Sequence, residues 1–292
     1  MSDVPTLLFC VGAAKAGTSW LHRQLRAHPD CHLRTIKELH YFDTLESGGF
    51  DRQIEIHRQR VLAVADAAVR PEVAARRRRD AAEWLGVLQK RQHDPEAYLG
   101  YLMHGLRGRR LVADMTPAYG LLPVDRLRQM VEVVPDTRFL FILRDPLARL
   151  WSHVRMLASR RAAARPSADM SVLTRAALSR VLKGDDPEAA SRGDYAQSVV
   201  RLREAVPERR LLVLFQEEMM SEPGFARLCR FSGIEPRGDA QFDARVNEGS
   251  WLDLPDPLRA RALAYLAPQY DFVAREFGPL PAGWSSIGGQ AA

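Results

Sequence analysis

The 292-residue sequence has few cysteines and no long apolar run. Its three cysteines, Cys10, Cys31 and Cys229, are widely spaced, which favours reduced thiols over a disulfide framework or a zinc site. Cys10 and Cys229 are expected to be buried, because cysteine is among the most buried residue types. No stretch approaches the roughly 18 apolar residues of a membrane span, and no basic segment precedes an apolar core at the N-terminus. These features predict a cytoplasmic protein without a membrane span.

The composition allows one large domain and favours anionic partners. With 46% hydrophobic residues, the chain can bury a full core over residues 1–292, and it contains no internal repeat. The formal net charge is +6, which attracts nucleic acids, acidic glycans and phosphorylated nucleotides alike. The Arg76–Arg79 run lies in an Ala/Glu/Arg-rich helical stretch, and two interpretations stay open for it. It is either a solvated helix face or a contact for an acidic acceptor or partner.

The most informative segment follows the first apolar run. Gly12 and Gly17 have the G-x-x-x-x-G spacing of a phosphate-binding loop between a strand and a helix. In a nucleoside-triphosphate loop the next residues are lysine and a magnesium-binding hydroxyl. Here Thr18 follows the second glycine, and Lys15 lies two residues before it. The loop can still bind an anion through backbone N–H groups and the helix dipole, but it lacks the usual triphosphate and magnesium arrangement.

A second segment has phosphate-binding chemistry. The apolar run 138–143 ends at Arg144, and Asp145 and Pro146 are suited to the N-cap and first position of a helix. Ser152 lies eight residues beyond Arg144, about two turns into that helix. A guanidinium and a hydroxyl form a good pair for a phosphate, because arginine offers bidentate charge-assisted hydrogen bonds. Arg149 and Arg155 on the same helix are expected on its exposed face.

The K-x-G-T-S-W pattern beginning at Lys15 resembles the 5′-phosphosulfate loop of sulfotransferases that use 3′-phosphoadenosine 5′-phosphosulfate (PAPS). The resemblance implies that Arg144 and Ser152 bind the 3′-phosphate, and that adenosine 3′,5′-bisphosphate is the product. It requires no metal, because Lys15 and backbone donors supply the positive field. The residues that the resemblance assigns to the 5′-phosphosulfate are Lys15, Ala16, Gly17, Thr18, Ser19 and Trp20.

The segment from Glu38 to Asp43 is similar to the E-x-H/Q-F-F segment of the carbohydrate, heparan-type sulfotransferases. The resemblance implies that Glu38 is the catalytic base, which sulfuryl transfer needs because the acceptor hydroxyl loses its proton. His40 is a competing base. The D-M-T-P-A-Y stretch containing Asp114 and Thr116 stands where the family has an E-K-T-P-x-Y-like segment, and it is expected to line the acceptor side.

Two weaker matches extend the resemblance along the chain. Gly193-Asp-Tyr195 is similar to the family's G-x-Y stretch, and Arg245-Val-Asn247 is similar to its K-V-N stretch near the nucleotide. The resemblance therefore implies that Tyr195 and Arg245 bind the nucleotide.

Alternating apolar strands and helices predict an α/β protein, and the resemblance implies a P-loop-like three-layer sandwich with a mostly parallel central sheet. Residues 52–107 are predicted to be a helical insertion. Residues 35–43 are interpreted as a short strand or an extended loop, and residues 163–194 are expected to be mobile. Predicted strands cover residues 7–11, 111–116, 138–143 and 210–215, and predicted helices cover residues 17–27, 124–133, 146–162, 195–206, 225–231 and 257–277.

The sequence therefore favours a PAPS-dependent sulfotransferase that acts on a hydroxyl, or an amine, of a carbohydrate or small metabolite. One alternative is a P-loop kinase of a small molecule, which the displaced Lys15 disfavours and which would need magnesium and ATP. The other is a non-catalytic protein that binds anions or nucleic acid, which the absence of an aromatic and basic recognition module disfavours. Acceptor identity and oligomeric state are not specified.

Overall fold

A computed structural model describes residues 4–63, 69–163, 167–237, 242 and 253–284. Five strands form one parallel sheet, in the spatial order β2-β3-β1-β4-β5. The sheet is thus entirely parallel, where the sequence predicts a mostly parallel one. The strands are β1 (Thr6–Gly12), β2 (Cys31–His32), β3 (Leu111–Asp114), β4 (Thr137–Leu143) and β5 (Leu211–Phe215).

Helices cover the sheet and connect its strands. They are α1 (Thr18–Ala27), α2 (Tyr41–Ser47), α3 (Phe50–Leu62), α4 (Pro71–Gln89), α5 (Pro95–Met103), α6 (Val124–Val131), α7 (Pro146–Ala163), α8 (Met170–Leu182), α9 (Pro187–Ser191), α10 (Tyr195–Ala205), α11 (Gln216–Met219), α12 (Glu222–Phe231) and α13 (Asp256–Phe277). Short 3-10 turns occupy Pro117–Leu121 and Glu208–Arg210. Within the residues described, no helix is both long enough and apolar enough to cross a bilayer.

The core is centred on β1, every residue of which is buried. This explains its continuous apolar sequence, because a central parallel strand is covered on both faces. Phe9 makes edge contacts with Phe42 and Tyr119 and packs against Phe139 of the neighbouring strand. Complete burial of such a ring contributes about 1.5–3 kcal/mol. The three cysteines are free and buried, as expected for Cys10 and Cys229.

Three local features add detail to the sequence analysis. Residues 170–182 and 187–191 form the helices α8 and α9, in the stretch expected to be mobile. Asp169 and Asp186 cap these helices by accepting backbone N–H bonds, so ordinary capping chemistry specifies structure there. The two-residue strand β2 is absent from the prediction. Residues 35–40 form a loop that leads directly into α2 rather than a strand.

Residues 52–107 lie between β2 and β3 and contain most of α3 together with α4 and α5. Arg76–Arg79 lie on α4, and all four side chains are exposed. The loop before α2 contacts this helical region, because Trp84 Nε1 donates a hydrogen bond to the Leu39 carbonyl at 3.2 Å. The helical region therefore supports the segment that contains Glu38.

Candidate active site

The carboxyl ends of the five strands meet at one edge of the sheet, where parallel α/β proteins bind ligands. The loop after β1 contains Lys15, whose backbone is left-handed with φ 72°. Gly17 is also left-handed, with φ 91°, and a Cβ there would lie 3.0 Å from Gln216 Nε2. A glycine is therefore required where the loop turns into α1. The start of α1 offers backbone N–H donors and the positive end of the helix dipole, so this loop is suited to binding an anion.

Arg144 lies beside this loop, because β4 is the neighbour of β1. Its Nη1 donates a hydrogen bond to the Lys15 carbonyl at 2.7 Å. Tyr195 holds the Arg144 backbone in turn: its hydroxyl donates to the Arg144 carbonyl at 2.7 Å and accepts from the Arg144 N–H at 3.4 Å. The Tyr195 side chain is buried, and its hydroxyl contacts the Arg144 backbone. The predicted contact of Tyr195 with a nucleotide stays a prediction.

Positive charges converge on Lys15. Burial lowers the pKa of its ammonium, and Arg144, Lys37 and Arg155 lower it further, whereas Glu38 raises it. Burial also lowers the pKa of Arg144. Like charges are kept close together at a cost unless an anion binds between them. The arrangement therefore favours a strongly anionic ligand at this edge.

The Glu38 segment forms the other wall of the site. Lys37 Nζ donates one hydrogen bond to Thr18 Oγ1 and one to Glu38 Oε1, each at 2.9 Å. The other carboxylate oxygen of Glu38 faces His40 Nε2 at 3.5 Å, and His40 Nδ1 lies 2.7 Å from Asp43 Oδ2. A chain of alternating charges thus runs from the anion-binding loop through Lys37, Glu38 and His40 to Asp43.

This chain sets the protonation states of the two candidate bases. Burial alone would raise the pKa of Glu38, but His40 and Lys37 outweigh it and lower that pKa to about 2. Burial alone would lower the pKa of His40, but Asp43 and Glu38 raise it to about 9. At neutral pH Glu38 is ionised and can accept a proton, whereas His40 already carries one. His40 and Lys15 both have left-handed backbones, a conformation enriched at functional sites.

A network of buried polar side chains around Asp114 is hydrogen-bonded to the backbone of the segment that contains Glu38. Thr116 Oγ1 accepts a hydrogen bond from the Leu39 N–H at 2.9 Å and donates one to Asp114 Oδ1 at 2.6 Å. Tyr98 and Tyr119 donate to the other oxygen of Asp114, at 3.0 and 2.8 Å. Burial raises the pKa of Asp114 to about 6 despite these donors. The expectation that Asp114 and Thr116 line the acceptor side is wrong, because both side chains are fully buried and instead position the backbone around Glu38.

The remaining predicted residues have different surroundings. Ala16 and Thr18 are buried, and Ser19 is partly buried at the start of α1. The Trp20 ring is 1% exposed and packs edge-on against Phe225, so the predicted contact of this residue with phosphosulfate stays a prediction. Ser152 is partly buried on α7. Arg245 lies outside the described residues.

Two arginines on α7 are less exposed than the sequence analysis predicts. Arg149 is 1% exposed and Arg155 is partly buried, so neither occupies the exposed face expected for it. Two further charged residues, Lys37 and Asp43, flank the two candidate bases. The K-E-x-H-x-x-D spacing contains the signal, since it combines opposite charges in one loop entering a helix.

Comparisons with known proteins bear on the family and the fold. The sequence matches the model of the sulfotransferase family over residues 5–237. A sulfotransferase from Alicyclobacillus acidocaldarius has a similar crystal structure, with a TM-score of 0.62 and 21% identity over 96% of this chain and 99% of that chain. A sulfotransferase domain from the curacin biosynthetic pathway is also similar, with a TM-score of 0.51 and 16% identity over 98% of this chain and 95% of that chain. Comparison with curated proteins gives no significant match.

The fold is that of the P-loop-like α/β proteins. The chain belongs to the sulfotransferase family, because the family match covers most of its length. Family and fold together support an enzyme that transfers a sulfuryl group. The matches do not single out the heparan-type branch.

Proposed function

We propose that the protein is a PAPS-dependent sulfotransferase that acts on a hydroxyl, or an amine, of a carbohydrate or small metabolite in the cytoplasm. The observation that carries the proposal is the convergence of Lys15, Lys37 and Arg144 around the anion-binding loop, with the ionised Glu38 at its rim. Groups suited to an anionic donor and a group that can accept a proton thus lie side by side, because Lys37 contacts both Thr18 and Glu38.

The two phosphate-bearing ends of the donor correspond to two groups of residues. Residues Lys15 to Trp20 would hold the 5′-phosphosulfate with backbone N–H groups, the Lys15 ammonium and the Thr18 hydroxyl. Arg144 and Ser152 would hold the 3′-phosphate, and Arg245 would contact the nucleotide. Arg144 is prepared for this role, because Tyr195 holds its backbone and the Lys15 carbonyl orients its guanidinium.

In the proposed transfer the acceptor oxygen, or nitrogen, attacks sulfur as the bond between sulfur and the bridging phosphate oxygen breaks. Lys15 stabilises the negative charge that develops on the leaving adenosine 3′,5′-bisphosphate. Glu38 accepts the proton that the acceptor loses, and no metal ion is required for these steps.

Glu38 is favoured over His40 as the base. His40 lies between two carboxylates, which keep its imidazole protonated, whereas Oε1 of Glu38 becomes free to accept a proton once Lys37 is drawn to the donor. Because Lys37 bonds both Thr18 and Glu38, an incoming phosphosulfate competes for its ammonium. Loss of that bond would raise the pKa of Glu38 and make it a stronger base.

Calorimetry of nucleotide binding tests the donor assignment. Adenosine 3′,5′-bisphosphate should bind more tightly than AMP by about 1.5–3 kcal/mol for a charge-assisted hydrogen bond to the 3′-phosphate. Arg144→Ala should remove most of that difference and leave AMP affinity nearly unchanged. Equal affinities for the two nucleotides would contradict the 3′-phosphate site, and a magnesium-dependent preference for ATP would favour a kinase instead.

A further inference from the structure

Arg149 is a fully buried cation outside the proposed donor site. It lies in the first turns of α7, and its side chain is 1% exposed. Its Nη1 atom is completely buried and makes no hydrogen bond with the described residues. None of the salt bridges among those residues includes Arg149. Within the described part of the chain, a guanidinium with five donors is therefore enclosed without an anion.

A buried guanidinium without an anionic partner is expected to bind an anionic ligand. Arginine does not lose its proton in proteins, so it cannot respond to burial by becoming neutral. Burial lowers the pKa of Arg149, and neighbouring Arg144 and Arg192 lower it further, although this leaves the group charged. Buried charges are normally paired, because an uncompensated one is strongly destabilising.

Arg149 lines a cavity of about 650 Å³ between α7, α8, α9, α10 and α13. The volume lies within the range of small-molecule sites. Much of the wall is apolar, with contributions from Val181, Ala190 and Leu266. Arg201 also lines the cavity, and its Nε atom is buried without a hydrogen bond among the described residues.

Asp194 is the one carboxylate among the described residues that line the cavity, and it forms no salt bridge with Arg149 there. Asp194 Oδ1 caps α10 by accepting the Gln197 N–H at 3.0 Å, and it also accepts a bond from Gln269 Nε2 at 3.3 Å. Gly193 provides the space for Arg149, since a Cβ at this position would lie 2.4 Å from Arg149 Nη2. The residues that the structure describes thus enclose Arg149 closely and provide no anionic partner for it.

We propose that this cavity binds a small organic anion, with the apolar body against the helix walls and the carboxylate, phosphate or sulfate group on the Arg149 guanidinium. The site is separate from the donor loop, because neither Lys15 nor Arg144 lines the cavity. The proposal therefore does not depend on PAPS being the donor.

The test is calorimetric titration of the full-length protein, saturated with adenosine 3′,5′-bisphosphate, with benzoate, phenyl phosphate and phenyl sulfate. Benzyl alcohol serves as the neutral probe of similar shape. At least one anion should bind about tenfold or more tightly than benzyl alcohol. Arg149→Met should remove this preference, whereas Arg160→Met, at an exposed position of the same helix, should keep it.

Ala190→Trp provides a second variant, because it fills the cavity and leaves Arg149 in place. It should abolish binding of the anions, and this decides the question if Arg149→Met does not fold. The proposal is overturned if no anion binds better than benzyl alcohol, if Arg149→Met or Ala190→Trp binds like wild type, or if binding is seen only without the bisphosphate. The last result would place the anion in the donor loop.

Discussion

The charge state of His40 gives a quantitative test of the Lys37–Asp43 segment. The pKa of this imidazole rises from an ordinary 6.5 to about 9 because Asp43 and Glu38 outweigh the effect of burial. A shift of one pKa unit corresponds to about 1.36 kcal/mol, so the full shift corresponds to about 3 kcal/mol. The Glu38 side chain is 41% exposed, and solvent screening reduces the expected contribution to about 1–3 kcal/mol.

The direction of the pH dependence follows from the raised pKa. The stabilisation is fully present below pH 6.5, where both the folded and the unfolded chain hold the proton, and it is lost as pH rises through about 9. We expect His40→Gln to remove this dependence and to keep a polar group in the loop.

The measurement is the free energy of unfolding by urea, for wild type and His40→Gln, at about pH 6 and about pH 9.5. Subtracting the two proteins cancels the titration of groups they share. The advantage of wild type should shrink by about 1–3 kcal/mol on going to the higher pH. A constant difference, or one that grows with pH, would refute the assignment of a protonated His40 between two carboxylates.

Four further variants test individual roles. Lys15→Ala should lower kcat more than it raises the KM for PAPS, because its ammonium acts on charge formed in the transition state; a raised KM alone in steady-state kinetics would show that Lys15 only binds. Glu38→Gln should reduce turnover by about 10²- to 10⁴-fold with unchanged bisphosphate affinity, and His40→Ala should cost far less; the reverse order would make His40 the base. Thr116→Val should cost about 1–3 kcal/mol in urea unfolding, because the Leu39 N–H loses its acceptor, and a neutral effect would show that the buried network is dispensable.

Much of the sheet could be predicted because its strands have a simple local pattern. β1 and β4 are short, nearly continuous apolar runs, as expected for parallel strands covered on both faces. The edge strand β5 is also an apolar run, although its residues alternate between partly buried and buried. β2 has only two residues, which is too short for a hydrophobic periodicity to indicate a strand. It is a strand because it pairs with β3, a contact between distant parts of the chain. α8 and α9 were missed because their apolar periodicity is weak, although Asp169 and Asp186 supplied capping signals.

The proximity of Lys15 and Arg144 could be predicted, because each follows a strand of the same parallel sheet directly. Residues positioned by distant parts of the chain were not predictable. Arg149 looked exposed by its sequence neighbourhood, yet it is buried because α8 and α13 pack beside α7. Thr116 acts on the Leu39 backbone from 77 residues away, so no local motif reveals its contact.

The central claim is that the protein transfers a sulfuryl group from PAPS. It is tested most directly by incubating the purified protein with sulfur-labelled PAPS and a cell extract and identifying the labelled product. The account predicts label in an acceptor that bears a hydroxyl or amine, with adenosine 3′,5′-bisphosphate released in equal amount and with little transfer by Lys15→Ala. Absence of label in any product, or equal labelling by wild type and Lys15→Ala, would contradict it.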